Sequence, residues 1–211
     1  RGIALGPIEK TGVTQNRRGT TIRFQPDVEI FGNLHFSAAR LYRLCRAKAF
    51  LFRGVTIRWS CDSSLIRAGD VTPSEAMLHF PGGLADSLQD ELGSDAALLA
   101  PIWADDADLP AAPDGTRNGR IEWAVAFQEE GQATFASFCN TIPTPQGGTH
   151  EAGCRAALLK GFKVWGEHKS EKRAASLTAD DVMGTVAGKL SLFLRDPQFQ
   201  GQTKEKLTSQ E

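Results

Sequence analysis

The sequence predicts an α+β fold, a two-layer α/β sandwich in which helices cover one face of an antiparallel sheet. Ile121, Trp123, Val125 and Phe127 alternate against Glu122 and Gln128. After the turn-like Glu129-Glu130-Gly131-Gln132, Thr134, Ala136 and Phe138 alternate again, which reads as a hairpin. Cys154, Leu158, Phe162 and Trp165 recur at helical spacing from His150 to about His168. Lys189 to Leu194 then supplies a last alternating strand.

The other elements follow in order. Thr20-Thr21-Ile22-Arg23-Phe24 comes after the turn-like Asn16-Arg17-Arg18-Gly19 and reads as the second strand of a hairpin starting near Leu5. From Ser37, an N-cap candidate, the period becomes helical through Leu41, Leu44, Cys45, Lys48 and Ala49. Gly54 punctuates, and Val55, Ile57 and Trp59 make one face of a strand. Residues 61 to 77 look like a loop, Met77-Leu78-His79-Phe80 like a short strand, and Pro81-Gly82-Gly83 leads into a helix from Leu84 to Leu92. Residues 93 to 119, with Asp105, Asp106, Asp108, Pro110, Pro113 and Asp114, read as a surface excursion around one strand near Ile102-Trp103. Thr178-Ala179-Asp180-Asp181 opens a short helix with its acidic groups at the favoured end.

With 41% hydrophobic and 23% charged residues, the composition is that of an ordinary globular domain. A net charge of −1 gives no global basic field, so any nucleic-acid contact would be a local patch. No run of about 18 apolar residues predicts a membrane span. Cys45, Cys61, Cys139 and Cys154 lack C-x-x-C spacing and read as reduced thiols of a cytoplasmic protein. The opening at Arg1, and a helix-like start in Lys204-Glu205-Lys206-Leu207 just before Glu211, read as a piece of a longer polypeptide.

Few residues carry chemistry. Past the last strand, a Pro197 turn leads to Gln202-Thr203-Lys204, which can offer a cation and an amide to an anion such as phosphate. By spacing alone, a solvated lysine on a polar turn is much the commoner reading. Gly147-Gly148-Thr149-His150 precedes the best helix. It could bind an anion through free amides, or be a loop in which Thr149 caps the helix and the glycines allow turning or close packing. Gly184-Thr185-Val186-Ala187-Gly188-Lys189 is not a P-loop, because its glycine spacing is short and Leu190 replaces the required hydroxyl. Arg155, Lys160, Lys163, Lys169, Lys172 and Arg173 on and after the later helix, and Arg40, Arg43, Arg46, Lys48 and Arg53 on or near the first, are either solvated faces or a surface facing DNA phosphates. His35, His79, His150 and His168 show no metal-ligand spacing, so no metal site is expected.

Three segments together resemble one family. Asn140-Thr141-Ile142-Pro143 followed by Gly147-Gly148-Thr149-His150 and Gly153 is similar to a signature of the B subunits of bacterial type IIA topoisomerases. Gln202-Thr203-Lys204 resembles their Q-T-K loop, and Gly19-Thr20 through Phe24, Pro26 and Asp27 resembles the strand that ends their ATPase domain. The motifs stand in family order across essentially the whole chain. Ala47-Lys48-Ala49-Phe50-Leu51, His79-Phe80-Pro81-Gly82-Gly83-Leu84 and Phe199 to Leu207 look more like the topoisomerase IV branch than the gyrase branch.

The resemblance implies that residues 1–27 end an ATPase domain and that 28–211 form a transducer domain. Its expected fold is like that of a ribosomal small-subunit protein, with a left-handed crossover. It implies that Gln202 and Lys204 contact the ATP γ-phosphate, with Lys204 acting in hydrolysis by electrostatics. ATP and magnesium would serve the full-length protein, and none is expected bound to this stretch, which alone would be inactive. Duplex DNA, the A subunit of topoisomerase IV and a second copy of the B subunit are the implied partners. Decatenation and relaxation by strand passage are the implied outcome. Alternatives are a gyrase B subunit, which supercoils, and a non-catalytic nucleic-acid-binding scaffold.

Overall fold

The computed structural model describes residues 6–16, 18–32, 34–111, 115 and 118–209, which fall into two compact units, 1–36 and 37–211.

The described part of the first unit contains one element, α1 (Val28–Phe31), capped by Asp27, whose carboxylate accepts from the Glu29 amide at 2.8 Å. The expected hairpin is not formed among the described residues, and Leu5 and Arg17 lie outside them. Its alternation is real, but a strand needs a partner ladder and the described residues of this unit supply none. Ile22 and Phe24 accordingly stay 81% and 72% exposed. The Phe24 ring meets Phe36 edge to face at 5.8 Å.

The second unit opens with α2 (Ala38–Leu51), whose Ser37 hydroxyl accepts from the Arg40 amide, as its capping position predicts. The buried side runs through Ala38, Tyr42, Cys45 and Ala49, at i, i+4, i+7 and i+11. Leu41 and Leu44, expected on that stripe, are exposed, so the stripe is rotated by part of a turn. β1 (Thr56–Ser60) and β2 (Glu75–His79) form an antiparallel ribbon in which Ile57 lies opposite Leu78. Trp59 packs on Tyr42 of α2 at 5.6 Å.

α3 (Leu84–Leu92) starts where the glycine pair predicts and ends at Gly93. β3 (Trp103–Asp108) runs through the acidic residues beyond the expected Ile102-Trp103 centre, and Pro113 and Asp114 lie outside the described residues. β4 (Gly119–Phe127), β5 (Thr134–Cys139), β6 (Ile142–Pro143), α4 (Thr149–His168), α5 (Ala179–Met183) and β7 (Val186–Leu194) complete the domain. α5 carries a capping box between Thr178 and Asp181.

The sheet corrects two expectations. Its order is β3-β4-β7-β5-β6, so β4 and β5 are not a hairpin. β7 lies between them, antiparallel to β4 and parallel to β5, and the sheet is therefore mixed. Alternation fixes which residues share a face but not which strand is the neighbour. The α4 connection returns the chain for the parallel pairing, as such a pairing requires. Helices also cover both faces, giving three layers where two were expected. Ala124, Ala126 and Ala187 meet Leu84, Leu88 and Phe50 from α3 and α2. Trp123, Val125 and Phe127 meet Leu158, Phe162 and Met183 from α4 and α5. Small residues on the first face and large ones on the second set how closely each helical layer approaches.

Candidate phosphate-sensing loop

Gln202 and Lys204 stand exposed at the tip of a loop that follows β7. The tip turns through Gly201 at φ +78°, and Lys204 itself sits at φ +57°, a left-handed conformation that few lysines adopt. Strain of this kind persists only where the surroundings impose it. The Lys204 ammonium lies 5.8 Å from the centre of the Phe199 ring and makes no ion pair among the described residues. The cation is thus held near the surface by a weak aromatic contact and remains available to an anion.

The loop rests on a stem that is hydrogen-bonded on two sides. The Gln200 amide donates to Lys206 O at 2.9 Å, and the Thr208 amide to Gln198 O at 2.8 Å. On the other side, the Leu207 amide donates to Gly147 O and the Thr149 amide to Leu207 O, each at 3.1 Å. The Gln146 side chain adds a 2.8 Å bond to the Glu205 carboxylate. Lys206 to Thr208 is therefore an extended segment, not the start of a helix. Leu207 is 1% exposed and packs with Cys139, Leu192 and Leu194.

This pairing explains the glycines of the Gly147-Gly148-Thr149-His150 segment. Gly148 has φ +138°, and a Cβ there would come 2.6 Å from the Leu207 nitrogen. Close packing is the reason for the residue. Thr149 does not cap α4. Gly148 holds the N-cap position without a side-chain bond, and Thr149 is the first helical residue.

Behind the segment lies a buried polar chain. The Thr144 hydroxyl is bonded to His150 Nε2 at 3.1 Å and to Ser137 Oγ at 2.8 Å. Ser137 Oγ donates to Glu151 Oε2 at 3.2 Å, and Arg155 donates to Glu151 Oε1 at 2.8 Å. Burial pushes the His150 pKa below its usual value, and the Glu151 charge opposes this more weakly. Sequence reading takes His150 as a member of the Gly147-Gly148-Thr149-His150 segment and excludes it as a metal ligand, without giving its side chain a structural role. Its place directly after a Gly-Gly-Thr, beside Glu151, is the signal that could have marked it as structural.

The basic residues separate by role. Arg155 is engaged, paired with Glu151 and stacked 5.6 Å from the Phe135 ring centre. Lys160 is exposed and Lys163 half-buried, three residues apart on one flank of α4. Most of the earlier set holds the fold. Arg46 pairs with Asp90, Lys48 reaches Thr141, and Arg53 binds Glu122 and Asp106. Lys189, which ends the P-loop-like segment, lies 5% exposed in β7, bonded to Glu91 at 2.5 Å and over the Phe50 ring. It is a structural cation.

A cavity of about 830 Å³ opens between α4 and the sheet, walled by Trp103, Trp123, Ala157, Phe162 and Trp165. Its apolar lining offers no set of phosphate ligands. Among the described residues no group of three His, Cys, Asp or Glu side chains could hold a metal ion, and no helix is long and apolar enough to cross a membrane.

A mixed sheet between helices, carrying an exposed Gln-x-Lys loop on a clamped stem, defines an α+β domain with an amide and a cation at its surface. The chain belongs to the DNA gyrase B family, whose model matches residues 83–211. It is 46% identical over its whole length to the B subunit of DNA topoisomerase 4 from Caulobacter vibrioides, and 43% identical over 99% of its length to that of Rickettsia felis. It spans only 30% and 31% of those two proteins. Among solved structures, the topoisomerase IV ATP-binding domain of Francisella tularensis superposes with a TM-score of 0.65 at 25% identity, over 88% of this chain and 46% of that one. The gyrase B subunit of Myxococcus xanthus gives 0.67 at 25% identity, over 86% and 47%.

Proposed function

We propose that this chain is the transducer segment of a type IIA topoisomerase B subunit of the topoisomerase IV kind, with residues 28–211 forming the transducer and 1–27 the end of the ATPase domain. The observation that carries the reading is Lys204, a cation without an ion pair among the described residues, in a strained conformation at the tip of an anchored loop. In the full-length protein Gln202 and Lys204 would touch the terminal phosphate of ATP, the amide donating a hydrogen bond and the ammonium supplying charge. Bound nucleotide supplies the phosphoanhydride whose cleavage drives the cycle. Lys204 stabilises charge on the terminal phosphoryl oxygens without moving a proton. The magnesium expected with the nucleotide has no ligand set among the described residues.

A charge-assisted contact is worth about 1.5–3 kcal/mol, enough to bias the orientation of two domains but not to hold it alone. Contact with the phosphate, and its loss after hydrolysis, makes that orientation a two-state switch. Together with the topoisomerase IV A subunit, plus a second copy of the B subunit, the switch would drive passage of one DNA duplex through another in the cytoplasm, giving decatenation and relaxation. The expected left-handed crossover belongs to this reading. Arg155, Lys160 and Lys163 would face DNA, although Arg155 is largely committed to Glu151. Residues 1–211 alone would not hydrolyse ATP. Lys204→Ala in the full-length protein should sharply lower ATPase turnover with folding intact, and unchanged turnover would sink the assignment. Supercoiling instead of decatenation by the reconstituted enzyme would move it to the gyrase branch.

A further inference from the structure

We infer that Gly148 is a positioning residue for Lys204, acting through Leu207; the inference rests on the phosphate-sensing reading above. The Gln202–Lys204 tip joins the body of the domain through its stem, and the stem is pinned where Leu207 crosses Gly148. The two amide bonds of that crossing run in opposite senses, Leu207 to Gly147 O and Thr149 to Leu207 O, so the segment can neither slide nor twist without losing one. The approach is possible only because position 148 has no Cβ and tolerates φ +138°.

The crossing is itself rooted in the core. The Gly147 amide donates to Thr144 O at 2.8 Å, and the Thr144 amide donates to Ser137 O of β5 at 2.9 Å. Thr144 is buried and bonded to His150 in the first turn of α4. A line of backbone bonds and buried hydroxyls thus runs from β5 to the loop stem, and α4 starts at the same point. The loop stem and the start of α4 are therefore joined by one set of hydrogen bonds. A phosphate drawing on Lys204 therefore pulls on a 20-residue helix rather than on a free loop.

The crossing fixes where the ammonium stands and makes no contact with nucleotide. Loosening it should lower the rate of hydrolysis and leave nucleotide binding largely intact. Misplacement of a catalytic group by about 1 Å can cost about 100-fold in rate.

The test is made in the full-length protein. Gly148→Ala is expected to reduce kcat for ATP by about tenfold or more, with KM within about twofold of wild type. Gln146→Ala is the gentler variant and keeps the test available if Gly148→Ala does not fold. It removes an exposed side-chain bond that ties the same stem to Glu205 and adds no clash, for an expected loss of about two- to tenfold in kcat. Gly161→Ala, in open space on α4, is the control. A second readout is trypsin cleavage after Lys204 and Lys206 with and without a non-hydrolysable ATP analogue. The analogue should protect wild type and fail to protect Gly148→Ala. If both variants fold and keep wild-type kcat and protection while Lys204→Ala has lost activity, the positioning role is overturned and the sensing role stands. If Lys204→Ala is also unaffected, the sensing role falls and the positioning role with it.

Discussion

Arg53 and Glu122 form an ion pair at 2.9 Å in which the carboxylate is 5% exposed, in the middle of β4, and the guanidinium reaches it from the end of α2. The same carboxylate oxygen accepts from the Leu84 amide at 3.4 Å, so one buried charge ties together a strand and the ends of two helices. Gly83 makes room for it, because a Cβ there would stand 2.6 Å from that oxygen. Removing the arginine strands the carboxylate in the core. Arg53→Met should destabilise the chain by about 2–3 kcal/mol, the partial exposure of Arg53 keeping the loss below that of a fully buried pair. Urea unfolding of Arg53→Met, Glu122→Gln and the double variant tests this. A coupling energy below about 0.5 kcal/mol would show the pair to be incidental.

The contrast between Glu122 and Trp123 shows what the sequence made legible. Alternation places Trp123 with Ile121, Val125 and Phe127 on one face of β4, and the structure agrees. The same alternation puts Glu122 on the opposite face and suggests that this face is wet. It is instead covered by α3, since Glu122 is flanked by Ala124 and Ala126, whose small side chains are easily read as surface. The second helical layer was hidden by alanines. The neighbour of β4 was hidden for another reason, because β7 arrives about 60 residues later and strand pairing over such a separation leaves no local signal. Helix limits were clear where capping chemistry is local, as at Ser37, Gly83 and Thr178. At the candidate site the Gln202–Lys204 tip was legible as a motif. Its anchor was not, because Gly148 and Leu207 meet only after the whole of α4, α5 and β7 has been laid down.

Gly188 and Phe135 form a second tight place. On β7, Gly188 lies opposite both Val125 and Phe135, and a Cβ would come 2.5 Å from the edge of the Phe135 ring. The ring can move only into the α4 layer, which is already filled by Leu158 and Phe162. Gly188→Ala should therefore cost about 1–3 kcal/mol despite the better strand propensity of alanine. Adding Phe135→Leu should return part of that loss. A fall in melting temperature that Phe135→Leu deepens would exclude the ring as the cause.

Cys139 ends β5 with no exposed surface, and burial pushes its thiol up to about 11. The thiolate needed for reaction is nearly absent at neutral pH, and reagents have no path to it. Under native conditions Cys139 should remain unmodified by an aromatic disulfide reagent, and in urea it should react as readily as the other three cysteines. Mass spectrometry of tryptic peptides reads both states. Native labelling of Cys139 on the timescale of an exposed thiol would mean that the β5–β7 edge opens far more often than its packing against Leu192 and Leu207 allows.

His150 makes stability depend on pH in a predictable sense. Burial disfavours its charged form in the folded state, so the folded pKa lies below the ordinary value near 6.5, and Glu151 only partly offsets the effect. Below that ordinary value the unfolded chain takes up a proton that the folded chain resists. The unfolded state then holds more protons, and stability must rise with pH across the interval between the two pKa values. The contribution is fully present above the unfolded pKa, declines as pH falls through it, and is gone below the folded pKa. The 3.1 Å bond to Thr144 can form in either state, since a hydroxyl accepts as well as donates, so the cost of protonation lies in burying the charge. Urea midpoints at about pH 7.5 and about pH 5.5 should differ more for the wild-type chain than for His150→Gln, which has no proton to gain. Equal drops in the two proteins would place the acid sensitivity elsewhere.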